Sequence, residues 1–402
     1  MAGVSFFIFI CFLVYSPFLQ NSFIWDDDLN LTKNPYLNGI DGLKMFWFDL
    51  RSMYQFYPLV FTSFWIEHKF WGLDPFGYHL DNLIIHCING LLLWRVMTFL
   101  RVPGSWLAAV IFTIHPVQVE SVAWITERKN LLSGFFYFLS LYFFLIFRSP
   151  LQSFDSNKNR NRRHPWLPYG LSLFFFVCSL CSKTVTCTLP AVILLVCWWK
   201  QNRIGKEFFL PMIPYFILGI SFGLLTSRLE KFNVGAVGLE WDLSFFDRFL
   251  IAGRVLWFYI WKLIWPSQII FIYPRWIIDD SIWWQYVYPL TFLSMISILW
   301  ALRDRIGRGP LIGILFFAGS LFPALGFFNV YSMRFSFVAN HFQYLSCIGI
   351  IAIIAGGMDR LIYQRVPMVG FILLSGLLAL LGVATFNQAP IYKDVFSLWR
   401  DT

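Results

Sequence analysis

Apolar runs long enough to cross a bilayer recur along almost the whole chain, and they constrain its fold more than any other feature. They fall at Val4 to Leu19, Leu83 to Leu100, Trp106 to Ile125, Leu131 to Phe147, Trp166 to Cys181, Val185 to Trp199 and Phe208 to Leu225. Four more lie at Trp283 to Leu302, Leu311 to Phe328, Phe342 to Gly357 and Val366 to Phe386. A span needs about 20 mainly apolar residues, and in hydrocarbon every backbone polar group must be satisfied within the segment, which selects helices. The expected fold class is therefore an all-α polytopic membrane protein with about 11 transmembrane helices and large non-cytosolic loops. Composition agrees, with 58% hydrophobic residues, 13% charged and a mean hydropathy of +0.63. One more run, Phe249 to Trp265, carries Arg254 and Lys262. A cation at mid-depth is costly, so this run suits an interfacial or re-entrant helix as well as a span.

The net charge of +9 acquires meaning from its location. Arg95 and Arg101, Arg148 to Arg163, Lys200 to Lys206, Arg303 to Arg308, and Arg360 with Arg365 fall on one side if 249–265 does not cross. By the positive-inside rule that side is the cytosol, with the N-terminus inside and the C-terminus outside. The pattern speaks for membrane lipids as partners and against nucleic acid. The opposite face receives a first outer loop, 21–80, a second, 227–282, and a shorter one around 329–341. Residues 1–390 thus form one membrane domain and 391–402 a non-cytosolic tail. The first run lacks a basic flank and a small-residue cleavage site, which reads as a retained helix. The polar, basic stretch 149–164 reads as a flexible cytosolic loop near anionic headgroups. The seven cysteines sit in or beside apolar runs without a disulfide or zinc pattern, and His68, His79 and His86 are not spaced as a metal set.

Chemistry concentrates outside. Directly after the first run stand Trp25-Asp26-Asp27-Asp28. Mutual repulsion and a partly desolvated boundary both raise a carboxyl pKa, which suits a general base. A solvated loop start fits the same spacing. The paired acids could also take a divalent cation, so metal dependence stays open. The run His115-Pro116-Val117-Gln118-Val119-Glu120-Ser121-Val122-Ala123-Trp124-Ile125-Thr126-Glu127-Arg128-Lys129-Asn130 crowds ionisable groups at the end of a span. On a continuous helix Glu120, Trp124 and Glu127 share a face, with Arg128 and Lys129 pointing to the headgroups. Lys183 stands at an outer turn where a cation needs a partner, and a lipid phosphate would supply one. Arg334 and His341 enter the tenth run from the same side. Each of these cations also fits a plain interfacial anchor.

Taken together, Trp25-Asp26-Asp27, Tyr57-Pro58-Leu59, Gly77-Tyr78-His79-Leu80 with His86 and Asn89, the run 115–130, Lys183 with Leu189-Pro190, and Phe322-Pro323 to Tyr344-Leu345 form a pattern. It resembles the transmembrane-and-TPR O-mannosyltransferases and their bacterial relatives, over nearly the whole chain. That family is similar in architecture to the protein O-mannosyltransferases of the GT-C type. The resemblance implies a polyprenyl-phosphate or dolichyl-phosphate sugar donor, a protein or peptide acceptor modified at Ser or Thr, and transfer on the non-cytosolic face. It implies Asp26 and Asp27 as the catalytic acids, ranked above Asp28. Lys183, Arg334, Arg128 and His341 are then the donor-phosphate residues. His79, His115, Glu120, Trp124, Glu127, Lys129 and Tyr344 become substrate-site residues, and 391–402 the entry to a TPR region. Two positions depart from the pattern: Asn340 stands where many relatives have Asp, and Tyr57 where many bacterial ones have His.

The expected mechanism joins a base, Asp26 or Asp27, to cations that stabilise a departing lipid phosphate. Competing readings keep the chemistry but use a lipid or cell-envelope glycan acceptor, or make the chain a secondary transporter, a lipid translocase or a scaffold. A transporter would place ionisable groups near mid-bilayer, whereas here they gather at one face. The short loops favour a bacterial inner membrane, with the endoplasmic reticulum as the eukaryotic counterpart.

Overall fold

The structure is a computed structural model that describes residues 2–49, 55–148, 166–201 and 205–402. The expected basic loop at 149–164 and Arg203 lie outside the described residues. Among those described there is no β-strand. The helices are α1 (Ala2–Tyr15), α2 (Gly39–Phe48), α3 (Pro58–Trp71), α4 (Pro75–Phe99), α5 (Ser105–Ile114), α6 (Val119–Ala123), α7 (Arg128–Arg148) and α8 (Trp166–Leu180). They continue as α9 (Leu189–Gln201), α10 (Lys206–Leu229), α11 (Phe245–Ile264), α12 (Val287–Ile306), α13 (Gly309–Leu321), α14 (Cys347–Met358), α15 (Pro367–Gln388) and α16 (Val395–Asp401).

Among the described residues seven helical stretches are long and apolar enough to span: Gly3–Gln20, Pro75–Phe99, Ile125–Arg148, Thr184–Gln201, Phe208–Val234, Trp283–Ile306 and Pro367–Tyr392. The run expected at Trp106 to Ile125 is a bent pair, α5 and the turn into α6, broken by 53° at His115-Pro116. Proline lacks the N–H the helix needs, and the residue before it is driven to extended backbone, seen as His115 ψ 133°. Apolar stretches at Trp166–Leu180 and Gly309–Ala324 are shorter. The chain is thus an all-α, multi-pass integral membrane protein.

Helix α11 covers the ambiguous run. Its capping box, Ser244 with Asp247, starts it, and Leu250, Ile251, Val255, Leu256, Tyr259 and Leu263 form its buried face. Arg254 lies over the Trp276 and Tyr288 rings, and Lys262 Nζ donates to the carbonyls of Ser267 and Gln268. The helix therefore has cation partners of its own and is not one of the apolar spanning stretches.

Helices α4, α5, α7 and α14 enclose the core, where His86 joins the Tyr344 hydroxyl (2.9 Å) to the Thr113 carbonyl (2.9 Å). Helices α13 and α14 approach until a Cβ on Gly349 would sit 2.2 Å from the Gly313 carbonyl oxygen. The acidic loop, the 115–130 run, Lys183 and the loops around 230, 271 and 330 meet at one end of this bundle. At the other end Lys200 donates to the Leu100 carbonyl and Arg308 lies over Trp198.

Candidate active site

A cavity of about 1200 Å³ opens where those loops meet. It is roomier than most small-molecule sites, which fall at ~300–1,000 Å³. One wall is polar and one apolar.

The polar wall begins at the acidic loop. Asp27 is fully buried, and its Oδ1 accepts from the Thr126 N–H (2.9 Å) and the Thr126 hydroxyl, while Oδ2 accepts from the Ile24 N–H (2.9 Å). Burial pushes its carboxyl up to about 7, against the lowering pull of those donors. With both oxygens engaged and no place on the cavity wall, Asp27 closes the turn. Asp26 lines the cavity, and its Oδ1 is buried without a hydrogen-bond partner. Burial raises its pKa; Lys129 opposes that, Glu127 adds to it, and His341 and Thr126 oppose it. Asp28 faces outward, paired with Lys33 at 2.6 Å. The expected catalytic pair, Asp26 and Asp27, and the lower-ranked Asp28 thus occupy three separate environments.

The 115–130 run is not one helix. Trp124 adopts extended backbone (ψ 114°) between α6 and a short turn leading into α7. Glu120, Trp124, Glu127 and Lys129 still line the cavity. Glu127 is the hub: Lys129 Nζ lies 2.8 Å from its Oε1, Lys183 Nζ 3.4 Å from its Oε2, and Asn130 Nδ2 donates to Oε2 at 2.6 Å. Lys183 Nζ also donates to Asn130 Oδ1 at 2.7 Å. Burial lowers Lys183 to about 8, and Glu127 resists that. His341 Nδ1 pairs with Glu120 Oε1, whose other oxygen accepts from Asn340 Nδ2 at 2.9 Å. Asn340 Oδ1 in turn accepts from the Tyr273 hydroxyl at 2.9 Å. Amide at position 340 can donate to Glu120, which a carboxylate could not do.

Several expectations are corrected by this geometry. Lys129 turns to Glu127 rather than to the headgroups, because the break at Trp124 rotates α7 relative to α6. Arg128 does not reach the cavity: fully buried, it pairs with Glu67, contacts Asn82 Oδ1, and donates to the Tyr78 carbonyl at 3.0 Å. Arg334 is half-exposed and pairs with Glu240 at 3.1 Å, off the cavity wall. His79 bonds the Asn21 carbonyl (3.1 Å), His115 bonds the Leu263 carbonyl (3.0 Å), and Tyr344 bonds His86, all three in the core. They hold loops in place and do not line the cavity. Among the described residues no group of three His, Cys, Asp or Glu side chains is arranged to hold a metal ion.

The apolar wall was not foreseen. Phe216, Gly219, Ile220, Gly223, Leu224 and Ser227 of α10 all line it. Their three- and four-residue spacing puts them on one helix face. Ile220 and Leu224 are also more than half exposed, so this wall is open and not packed over. The repeat of small residues within an apolar run was the available signal. Asn130 and Thr126 were missed, and Asn340 stood out only as a departure from the pattern, because their roles depend on partners distant in sequence.

Comparison with characterised proteins bears on this arrangement. Human protein O-mannosyl-transferase TMTC3 is 28% identical over 202 residues, 48% of this chain and 20% of that protein. The tmtc2 enzyme of Xenopus laevis is 35% identical over 141 residues, 32% of the chain and 17% of its own length. Protein O-mannosyl-transferase F38B6.6 of Caenorhabditis elegans is 29% identical over 145 residues, 32% of the chain and 21% of that protein. Over up to about half of its length the chain is similar to protein O-mannosyl-transferases. The matched region spans about a fifth of the length of these relatives. No family model matches, and no solved structure matches.

Proposed function

We propose that the protein is a membrane glycosyltransferase that moves a hexose such as mannose from a polyprenyl-phosphate or dolichyl-phosphate donor to Ser or Thr hydroxyls of a protein acceptor on the non-cytosolic face. One observation carries this reading: the unpartnered carboxylate oxygen of Asp26 and the amines of Lys129 and Lys183 share one cavity, whose other wall is an apolar helix face. A weak hydroxyl nucleophile needs a base, and a departing phosphate needs positive charge in a site of low dielectric. The apolar face of α10 suits a polyprenyl chain. The relatives' names supply mannose and protein as sugar and acceptor. The basic residues gathered at the far end favour the non-cytosolic side for the cavity.

In the transfer, Asp26 accepts the acceptor hydroxyl proton while the oxygen attacks the anomeric carbon. The bond from that carbon to the phosphate oxygen breaks, and its electron pair leaves on the phosphate beside Lys129 and Lys183. Glu127 and Asn130 fix the two amines, and the Glu120–His341 pair borders the sugar. A single displacement inverts the anomeric configuration. Asp27 keeps the loop in shape and exchanges no proton.

The test supplies membranes containing the protein with radiolabelled dolichyl-phosphate and polyprenyl-phosphate mannose and a Ser/Thr-rich peptide. Label should enter the peptide, and Asp26→Asn should abolish it. Label confined to lipid or glycan would replace the protein acceptor, and no transfer from any lipid-linked sugar would overturn the reading.

A further inference from the structure

Trp25 has φ +50°, left-handed backbone that a bulky residue rarely occupies, and it stands immediately before the acid that faces the cavity. Such a conformation persists only where the surroundings over-determine it. Here they do. Asn21 Nδ2 donates to the Ala389 carbonyl (3.3 Å), the Ser22 N–H donates to the Lys393 carbonyl (2.7 Å), and Asp27 is pinned to Ile24 and Thr126. Both flanks of Trp25 are fastened, and the residues between them have no freedom to relax. The indole is fastened too, lying 5.2 Å from the Trp399 ring and 5.6 Å from the Phe271 ring. Phe271 continues the aromatic wall to Trp124 at 5.1 Å.

The partners of Asn21 and Ser22, and one of the rings against the indole, come from the segment that follows α15. Ala389, Lys393 and Trp399 belong to the turn after α15 and to α16, whose Leu398 is fully buried. Chain segments more than 360 residues apart in sequence thus meet at the loop that carries Asp26. A reversal of backbone handedness between Ile24 and Asp26 lets two adjacent acids diverge, Asp27 inward to the turn and Asp26 to the cavity.

We propose that Trp25 is a positioning residue for Asp26, and that the segment 389–401, through Trp399, holds it in that role. This rests on the reading of Asp26 as the base. With the clamp intact the free carboxylate oxygen is aimed at the acceptor; with it released, the loop relaxes to right-handed backbone and the carboxylate turns from the cavity.

The test has two arms on the full chain in membranes. The first measures transfer by Trp399→Ala, Trp399→Phe and Trp25→Gly. Release of the clamp should lower kcat by about ten- to a hundredfold, with the donor KM within about twofold of wild type, and Trp399→Phe should restore kcat. Trp25→Gly accepts the left-handed backbone without strain but lacks the clamped ring, and since glycine takes either handedness freely, the loop is no longer held and kcat should still fall. The second arm treats each variant with dicyclohexylcarbodiimide and measures the adduct on Asp26 by mass spectrometry, with Asp26→Asn as the blank. Adduct formation should change in Trp399→Ala and Trp25→Gly and return to the wild-type rate in Trp399→Phe. Wild-type kcat and labelling in a folded Trp25→Gly protein would overturn the proposal. Altered labelling in a protein that transfers no lipid-linked sugar would leave the positioning role standing and remove the enzymatic one.

Discussion

Lys183 Nζ donates to Asn130 Oδ1 at 2.7 Å while Asn130 Nδ2 donates to Glu127 at 2.6 Å, so one amide holds both a cation and its counter-ion. The lysine is kept in the cavity by its shorter bond to the amide, with Glu127 as a longer ion-pair partner at 3.4 Å. An amine held this way is available to a ligand.

Asp26 and Asp27 should separate in experiment. Asp26→Asn should reduce kcat by about a hundredfold or more, with little change in thermal stability. Asp27→Asn must aim an amide N–H at the Ile24 N–H or at Thr126, and should cost about 1–3 kcal/mol of stability. Thermal unfolding of the detergent-solubilised variants, set beside their transfer rates, checks both.

The pH dependence of transfer should be bell-shaped. Asp26 must be ionised to act, and burial raises its pKa, so the rising limb lies above the ordinary carboxylate range. Lys183 must be protonated, and burial lowers it to about 8, so activity falls as pH passes that value. Lys183→Arg keeps its charge and should move the falling limb upward; an unmoved limb would assign it to another group.

Removing Arg128 should destabilise the fold by about 3–5 kcal/mol, because it strands Glu67. Glu67→Gln should be milder. Burial raises the Glu67 carboxyl to about 7, which Arg128 opposes, so its ionised form gains little over a neutral amide. Unfolding midpoints in detergent measure the difference.

Arg334→Ala should leave donor KM within about twofold of wild type and change stability by about 0–1 kcal/mol, as its pair with Glu240 is solvent-exposed. A large rise in donor KM would place Arg334 at the phosphate after all.

The fold class was legible because spans are set by length and hydropathy, which are local. So was the cavity's charged core, since Asp26, Glu120, Glu127, Lys129, Lys183 and His341 stood out as ionisable groups at the ends of apolar runs. Their assignment to individual roles was not. Arg128 and Lys129 are neighbours with identical sequence credentials, and a backbone break at Trp124 decides which one meets the cavity. Tyr344, His79 and His115 carried motif signals that belong to packing, because a polar group buried in a membrane bundle needs a partner whether or not it does chemistry.

Glu127, Arg128 and Lys129 are consecutive, with the outer two in the cavity and the middle one locked to Glu67 and Tyr78 beneath it. The start of α7 is therefore a lever whose fulcrum is the fully buried guanidinium. Loosening the helices under it must tilt the charges above it, so heat or harsh detergent should extinguish turnover and native structure in a single step, and surviving activity would serve as a direct gauge of the folded fraction.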